Sequence, residues 1–214
     1  MVAIGIWNFI FLDVENFFMK KALVIGFVWP EPKSSAAGSR MLQLLAQFQK
    51  QGYAVTFASA AKTSANTFDL YSIGVDTQTI LLNDASFDAF VADLNPTLVL
   101  FDRFMTEEQY GWRVAEQCPE ALRILDTEDF HGLRKARGLA LKQHTDMSLG
   151  HLQNDTTKRE IASIYRCDLS LIISEAEMAL LKEQFKIDAS LLCYLPFLVA
   201  LVTSSDIEKL PTFE

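Results

Sequence analysis

The sequence predicts an α/β protein with a Rossmann-like, doubly wound and mainly parallel sheet and helices on both faces. Three observations carry this expectation. Residues 22–28, Ala-Leu-Val-Ile-Gly-Phe-Val, form an uninterrupted apolar run, the signal of a strand buried on both faces. Downstream, Met41, Leu44, Leu45 and Phe48 recur at helical spacing, so a strand, a loop and an amphipathic helix follow one another as a first βα unit. The same alternation of short apolar runs and helical stripes continues along the chain. It predicts six or seven strands joined by right-handed crossovers, with the strand at 22–28 central in the sheet.

In order, the first helix follows the small-residue tract Ser34-Ser35-Ala36-Ala37-Gly38-Ser39 and stops at Gln51-Gly52. Residues 53–58 read as the second strand, 59–69 as a polar loop and 79–82 as a short strand. Ser86 is expected to cap a helix whose Phe87, Phe90, Val91 and Leu94 form one apolar stripe, ended by Asn95-Pro96. Residues 97–101 are another buried strand. Thr106-Glu107-Glu108-Gln109 has the form of a capping box and is expected to start a helix that Cys118-Pro119 stops. A strand at 121–125 leads at once to Asp126. The polar stretch 143–153 lacks strong periodicity and reads as a loop or frayed helix. A helix at 155–166 and a strand at 168–173 follow. Ser174-Glu175-Ala176-Glu177 is a second capping box, for a helix to about 185, and the last strand, 191–195, is cut by Pro196.

Composition bounds the function. The 214 residues are half apolar, which suits one sizeable domain, assigned to 19–199 with an extension at 1–18 and the start of a linker at 200–214. A formal charge of −8 argues against a general nucleic-acid binder or a polybasic membrane anchor. Cys118, Cys167 and Cys193 are far apart and odd in number, which reads as reduced thiols in a cytoplasmic protein. The apolar run 2–12 is interrupted by Asp13 and Glu15 and is too short to span a bilayer. Lys20 and Lys21 come after the run rather than before it, unlike a signal peptide. No transmembrane segment is expected, and an interfacial helix giving peripheral membrane contact is the alternative reading of 1–18.

In an open parallel sheet, ligands sit beyond the carboxyl ends of the strands. The loop 29–39 should therefore lie in the binding crevice, with helix-start N–H groups able to face an anion. No Gly-x-Gly-x-x-Gly follows the first strand and no acid ends the second, so a nicotinamide site is poorly supported. There is no P-loop and no Gly-x-Ser-x-Gly elbow, and His131, His144 and His151 lack zinc spacing. The densest charged cluster is Asp126-Thr127-Glu128-Asp129-Phe130-His131, followed by Arg134 and Arg137. His131 beside a carboxylate could move protons or orient a hydroxyl, and the arginines could hold phosphate oxygens. The same residues also fit a solvated helix start with Asp129 as N-cap. Asp102-Arg103-Phe104 is a second cluster at a strand end, which fits a salt-bridged loop or a ligand contact. Glu175 and Glu183 are assigned to a solvated helix face.

The segments 21–45, 101–137 and 168–185 resemble the amino-terminal half of bacterial group 1 glycosyltransferases of the GT-B fold. The strongest element is the Asp126-Thr127-Glu128-Asp129-aromatic-His131-x-x-Arg134 pattern after an inner strand. The similarity runs from about 19 to 198. It implies one of two Rossmann-like domains facing a cleft, the half that mainly shapes the acceptor site. A second domain would bind the nucleotide-sugar, which serves as co-substrate without metal or further cofactor. His131 is the expected catalytic residue, lining the cleft near the transferred sugar. Ser35, Gly38, Ser39, Arg103, Asp126, Glu128, Asp129 and Arg134 are the expected substrate- and phosphate-binding residues. A second domain of about 150–200 residues would follow Glu214, so the chain alone is expected to be incomplete as an enzyme. The alternative is a non-catalytic Rossmann-like interaction or ligand-binding module.

Overall fold

The computed structural model describes residues 20–197; the expected extension at 1–18 and linker at 200–214 lie outside the described residues. Seven strands form one sheet: β1 (Lys21–Gly26), β2 (Ala54–Ser59), β3 (Asp76–Thr79), β4 (Leu98–Asp102), β5 (Leu122–Asp126), β6 (Leu169–Ile172) and β7 (Leu192–Tyr194). Their order is β3-β2-β1-β4-β5-β6-β7, and every neighbouring pair is parallel. The expected doubly wound sheet is borne out, and β1 lies in its interior between β2 and β4.

The side chains of β1 show why the sequence run is continuous. Leu23 and Ile25 enter one core, with Val99, Phe101 and Leu125 from the neighbouring strands. Ala22 and Val24 enter the other, with Leu98, Leu100 and Ile124. A strand covered on both faces has no solvent side on which to place polar residues. The second core is closed by Met41, Leu44, Leu45 and Phe48 of helix α1 (Ala36–Lys50) and by Leu70 of a short 3-10 turn, Leu70–Ile73. The first is closed by α2 (Ser86–Leu94), α3 (Arg103–Gln117), α4 (His131–Lys142), α6 (Asp155–Arg166) and α7 (Glu175–Glu183). The one-turn helix α5 (Leu149–Leu152) lies in the polar stretch 143–153 and contributes Leu152 to this core.

Three expectations are corrected. The third strand is Asp76–Thr79, ahead of the expected 79–82. It is a short polar edge strand, set by parallel pairing to β2 rather than by apolar residues of its own. Ser86 is the first residue of α2 and not its cap; Asp84 Oδ1 accepts its N–H at 2.9 Å. Helix α3 begins at Arg103, directly from β4, three residues before the expected capping box. Thr106 Oγ1 donates back to Asp102 O and Arg103 O at 2.9 and 3.0 Å and caps nothing. The Ser174 cap is present: its hydroxyl accepts from Glu177 N. The Glu177 carboxylate does not return the bond, and reaches Phe130 N instead.

Candidate functional site

The β1–α1 loop is a folded structure rather than an open anion cradle. Ser34 N and Ser35 N both donate to Glu31 O at 3.0 Å. Ser35 Oγ caps α1 by accepting from Gly38 N at 3.0 Å, and Ser39 Oγ donates to Pro32 O at 3.2 Å. A Cβ on Gly38 would lie 2.6 Å from Glu31 N and C, so the glycine is required by this close approach. Trp29 Nε1 donates to Ala61 O at 2.7 Å and ties the loop to the end of β2.

Beside this loop stand the ends of β4 and β5, where Asp102 is in register with Asp126. The two aspartates have different surroundings. Asp126 is fully buried under the edge, and Arg40, equally buried, contacts both of its oxygens from Nε and Nη2 at 2.9–3.3 Å. Arg40 Nη1 also donates to Leu195 O and Pro196 O, which fastens the end of β7. Asp126 is therefore held in a buried ion pair inside the fold. Asp102 Oδ2 accepts from Phe27 N at 2.9 Å, and among the described residues its Oδ1 has only the Arg103 guanidinium, 3.4 Å away. Burial, with the charge of Asp126, pushes the Asp102 carboxyl up to about 6 against the opposing pull of Arg103 and the Phe27 amide.

Two non-glycine residues turn the chain out of these strands in the left-handed region, Arg103 with φ 71° and Glu128 with φ 63°. The Arg103 guanidinium lies 5.3 Å from the centre of the Phe27 ring. Glu128 is only 9% exposed and has no hydrogen-bond partner among the described residues. Burial, then Asp126 and Asp102, push its carboxyl up to about 7. Loop and strand ends together line a cavity of about 250 Å³ that includes Glu31, Ser35, Gly38, Asp102, Arg103 and Glu128. The structure thus brings four of the expected binding residues together: Ser35, Gly38, Arg103 and Glu128. Asp126 lies buried below them, and Ser39 points its hydroxyl back into the loop.

His131, Asp129 and Arg134 form a separate group at the start of α4, outside the lining of that cavity. Asp129 pairs with Arg134 and lies 3.3 Å from His131 Nδ1, and it does not cap the helix. The helix start is instead closed by carboxylates from other helices. Glu160 accepts from His131 N and Gly132 N at 3.2 and 2.9 Å, and Glu177 accepts from Phe130 N at 3.2 Å. His131 Nδ1 donates to Asp129 O at 2.9 Å, which assigns a proton to Nδ1 because a carbonyl only accepts. Its ring packs edge-on to Phe104. Burial works to lower the imidazole pKa, but the hydrogen bond and charge of Glu160 and the charge of Asp129 outweigh it and hold it above the ordinary value. Burial also raises the Glu160 carboxyl. His144 is exposed, and His151 Nδ1 caps α5 with Ser148.

Arg40 and Glu160 escaped the sequence reading, and Glu177 was read only as part of a capping box. For the first two a signal was present. Arg40 lies four residues before Leu44 and eight before Phe48, on the apolar stripe of α1. Glu160 shares its face of α6 with Ile164. A charged residue on an apolar stripe announces a buried partner.

No family model and no curated protein sequence matches this chain. Among solved structures, sucrose-phosphate synthase from Thermosynechococcus elongatus superposes with a TM-score of 0.56 at 16% identity, over 83% of this chain and 48% of that one. The chain has the fold of one half of a GT-B glycosyltransferase. An alpha-glucosyltransferase in complex with UDP and a 13-mer DNA containing a HMU base is a more distant likeness, with a TM-score of 0.49 and 14% identity over 86% of this chain and 44% of that one. At these identities the likeness establishes the fold. The half-domain spans about half the length of sucrose-phosphate synthase, 48%. Among its described residues no helix is long and apolar enough to cross a membrane, and no group of three or more His, Cys, Asp or Glu is placed to hold a metal ion.

Proposed function

We propose that this half-domain is the acceptor side of a glycosyltransferase that moves a sugar from a nucleotide-sugar to a hydroxyl acceptor. One observation carries the reading. The cavity at the carboxyl edge of β1, β4 and β5 sets three carboxyls, Glu31, Asp102 and Glu128, against the single guanidinium of Arg103. Phosphate oxygens would be repelled by that lining, whereas hydroxyls donate hydrogen bonds to it. Glu128, with a pKa of about 7, accepts from an acceptor hydroxyl when ionised and donates when neutral. Arg103 and the first turn of α1, with Ser35 as its cap, supply the positive side of the same cavity.

In the transfer, the acceptor oxygen bonds to the anomeric carbon as the bond from that carbon to the diphosphate oxygen breaks, and the hydroxyl's proton passes to the departing diphosphate. His131 is held through Nδ1 by Asp129 and Glu160 and presents its other edge to the transferred sugar. A second domain holds the nucleotide-sugar, and its closure completes the site. The three free cysteines suit a reducing cytoplasm.

The test is nucleoside diphosphate release from a panel of nucleotide-sugars, by the chain alone and after joining it to a donor-binding GT-B domain. The chain alone should give little or no transfer, and the joined protein should give acceptor-dependent transfer. His131→Ala should lower that turnover more than His144→Ala or His151→Ala. Robust transfer by the 214-residue chain alone overturns the half-enzyme reading. Equal losses at the three histidines overturn the role given to His131.

A further inference from the structure

A second cavity, of about 370 Å³, opens at the same edge of the sheet between the ends of β1 and β2 and the first turns of α3. Phe27, Leu82, Met105 and Tyr110 contribute its apolar walls, and Gly26 and Ala60 also line it. Several of the polar side chains around it are turned to the protein. Thr106 Oγ1 donates to Asp102 O and Arg103 O, and Tyr110 Oη donates to Leu81 O at 3.3 Å. Arg159 is paired with Glu108 at the rim. Phe27 and Leu82 nonetheless remain 45% and 58% exposed. A concave, mainly apolar site of this size fits an apolar group.

The two cavities are neighbours with opposite chemistry. Arg103 lines the acidic one and Phe27 the apolar one, and the guanidinium resting on the Phe27 ring is the wall between them. We infer that the acceptor is amphiphilic: its hydroxyl-bearing head lies in the Asp102–Glu128 cavity and an attached aryl or alkyl group lies across Phe27 in the cavity of Leu82, Met105 and Tyr110. This inference rests on the acceptor-side reading and adds the chemical class of the acceptor. The head satisfies the buried carboxyls, and the tail covers the exposed rings and methyls, so each half of the ligand meets the lining that suits it.

Calorimetric titration of the full chain with methyl β-D-glucopyranoside, and with octyl β-D-glucopyranoside below its micelle concentration, tests this. The octyl compound should bind at least roughly tenfold tighter, since its chain leaves water for the apolar cavity. Ala60→Trp, which fills that cavity, and Met105→Asp, which charges it, should each remove the octyl advantage and leave methyl glucoside affinity unchanged. Circular dichroism confirms that each variant is folded. If methyl glucoside binds and the octyl compound binds no tighter, the amphiphilic acceptor is wrong and the acceptor-side reading stands. If the octyl advantage survives in folded forms of both variants, the tail lies elsewhere and the inference is overturned. If neither glucoside binds, both readings fall.

Discussion

Arg40 offers the sharpest test of how the edge of the sheet is built. Its side chain is 1% exposed and that of its partner Asp126 is 0%. Replacing it in Arg40→Met removes the Nε and Nη2 contacts to Asp126 and the donations of Nη1 to Leu195 O and Pro196 O. The Asp126 carboxylate is then buried without a partner, in register with Asp102 and near Glu128. Breaking a buried pair from one side costs about 3–5 kcal/mol. Against a total stability of about 5–15 kcal/mol this is a large loss, and for a domain of this size it lowers Tm by roughly 6–20 °C. The double variant Arg40→Met/Asp126→Leu removes both charges and leaves the Leu195 and Pro196 carbonyls, just past β7, short of a donor, for about 1–3 kcal/mol. The double variant should therefore be more stable than Arg40→Met alone, which additive effects would not produce. Urea unfolding followed through the fluorescence of buried Trp29 measures all corners of the cycle. A loss below about 1 kcal/mol in Arg40→Met, or a double variant that costs the sum of the singles, would show that the pair does not bear the strain assigned to it.

Two further outcomes follow from the cavity. Gly38→Ala drives a methyl into the Glu31 backbone, which cannot rotate away as a side chain would, so thermal melting should show a loss of about 1–3 kcal/mol together with weakened glucoside binding; an unchanged Tm refutes the close approach. Glu128 titrates at about 7 in the fold against 4.5 when free, so the fold favours its neutral form. That contribution is complete below pH 4.5 and is lost as pH rises through about 7. Glu128→Gln, permanently neutral, should gain Tm relative to the parent across this interval and hold the gain above it; a carboxyl carbon resonance for Glu128 that titrates near 4.5 by NMR would contradict the assignment.

The parts of the fold that were legible in the sequence are those where one physical requirement acts alone. Strands β1 and β4 must be apolar on both faces, and α1 and α2 must present one stripe, so their residues announce them. Strand β3 was misplaced because two requirements pull apart there. The paired residues are Asp76, Thr77, Gln78 and Thr79, which edge pairing tolerates. The apolar residues just beyond include Leu81 and Leu82, 56% and 58% exposed, which look like a strand and instead stand beside the apolar cavity.

At the site, sequence spacing located the charged residues, and only long-range packing separated their tasks. Asp126 and Glu128 are two residues apart, yet Arg40, 86 positions before Asp126, takes one into the interior while the left-handed turn at Glu128 lifts the other into the cavity. The start of α4 was read either as a site for proton transfer and phosphate or as a solvated helix start capped by Asp129. Glu160 and Glu177 reach it from α6 and α7 and occupy the amides that an anion would need. One helix start at this edge is closed by carboxylates, and the neighbouring cavity holds three acids to one arginine. A diphosphate would meet repulsion at both. A hydroxyl would meet acceptors in the cavity and, across Phe27, an apolar surface for whatever the hydroxyl is attached to. The lining of this edge favours hydroxyl donors over phosphate oxygens, and the proposed acceptor role rests on that preference.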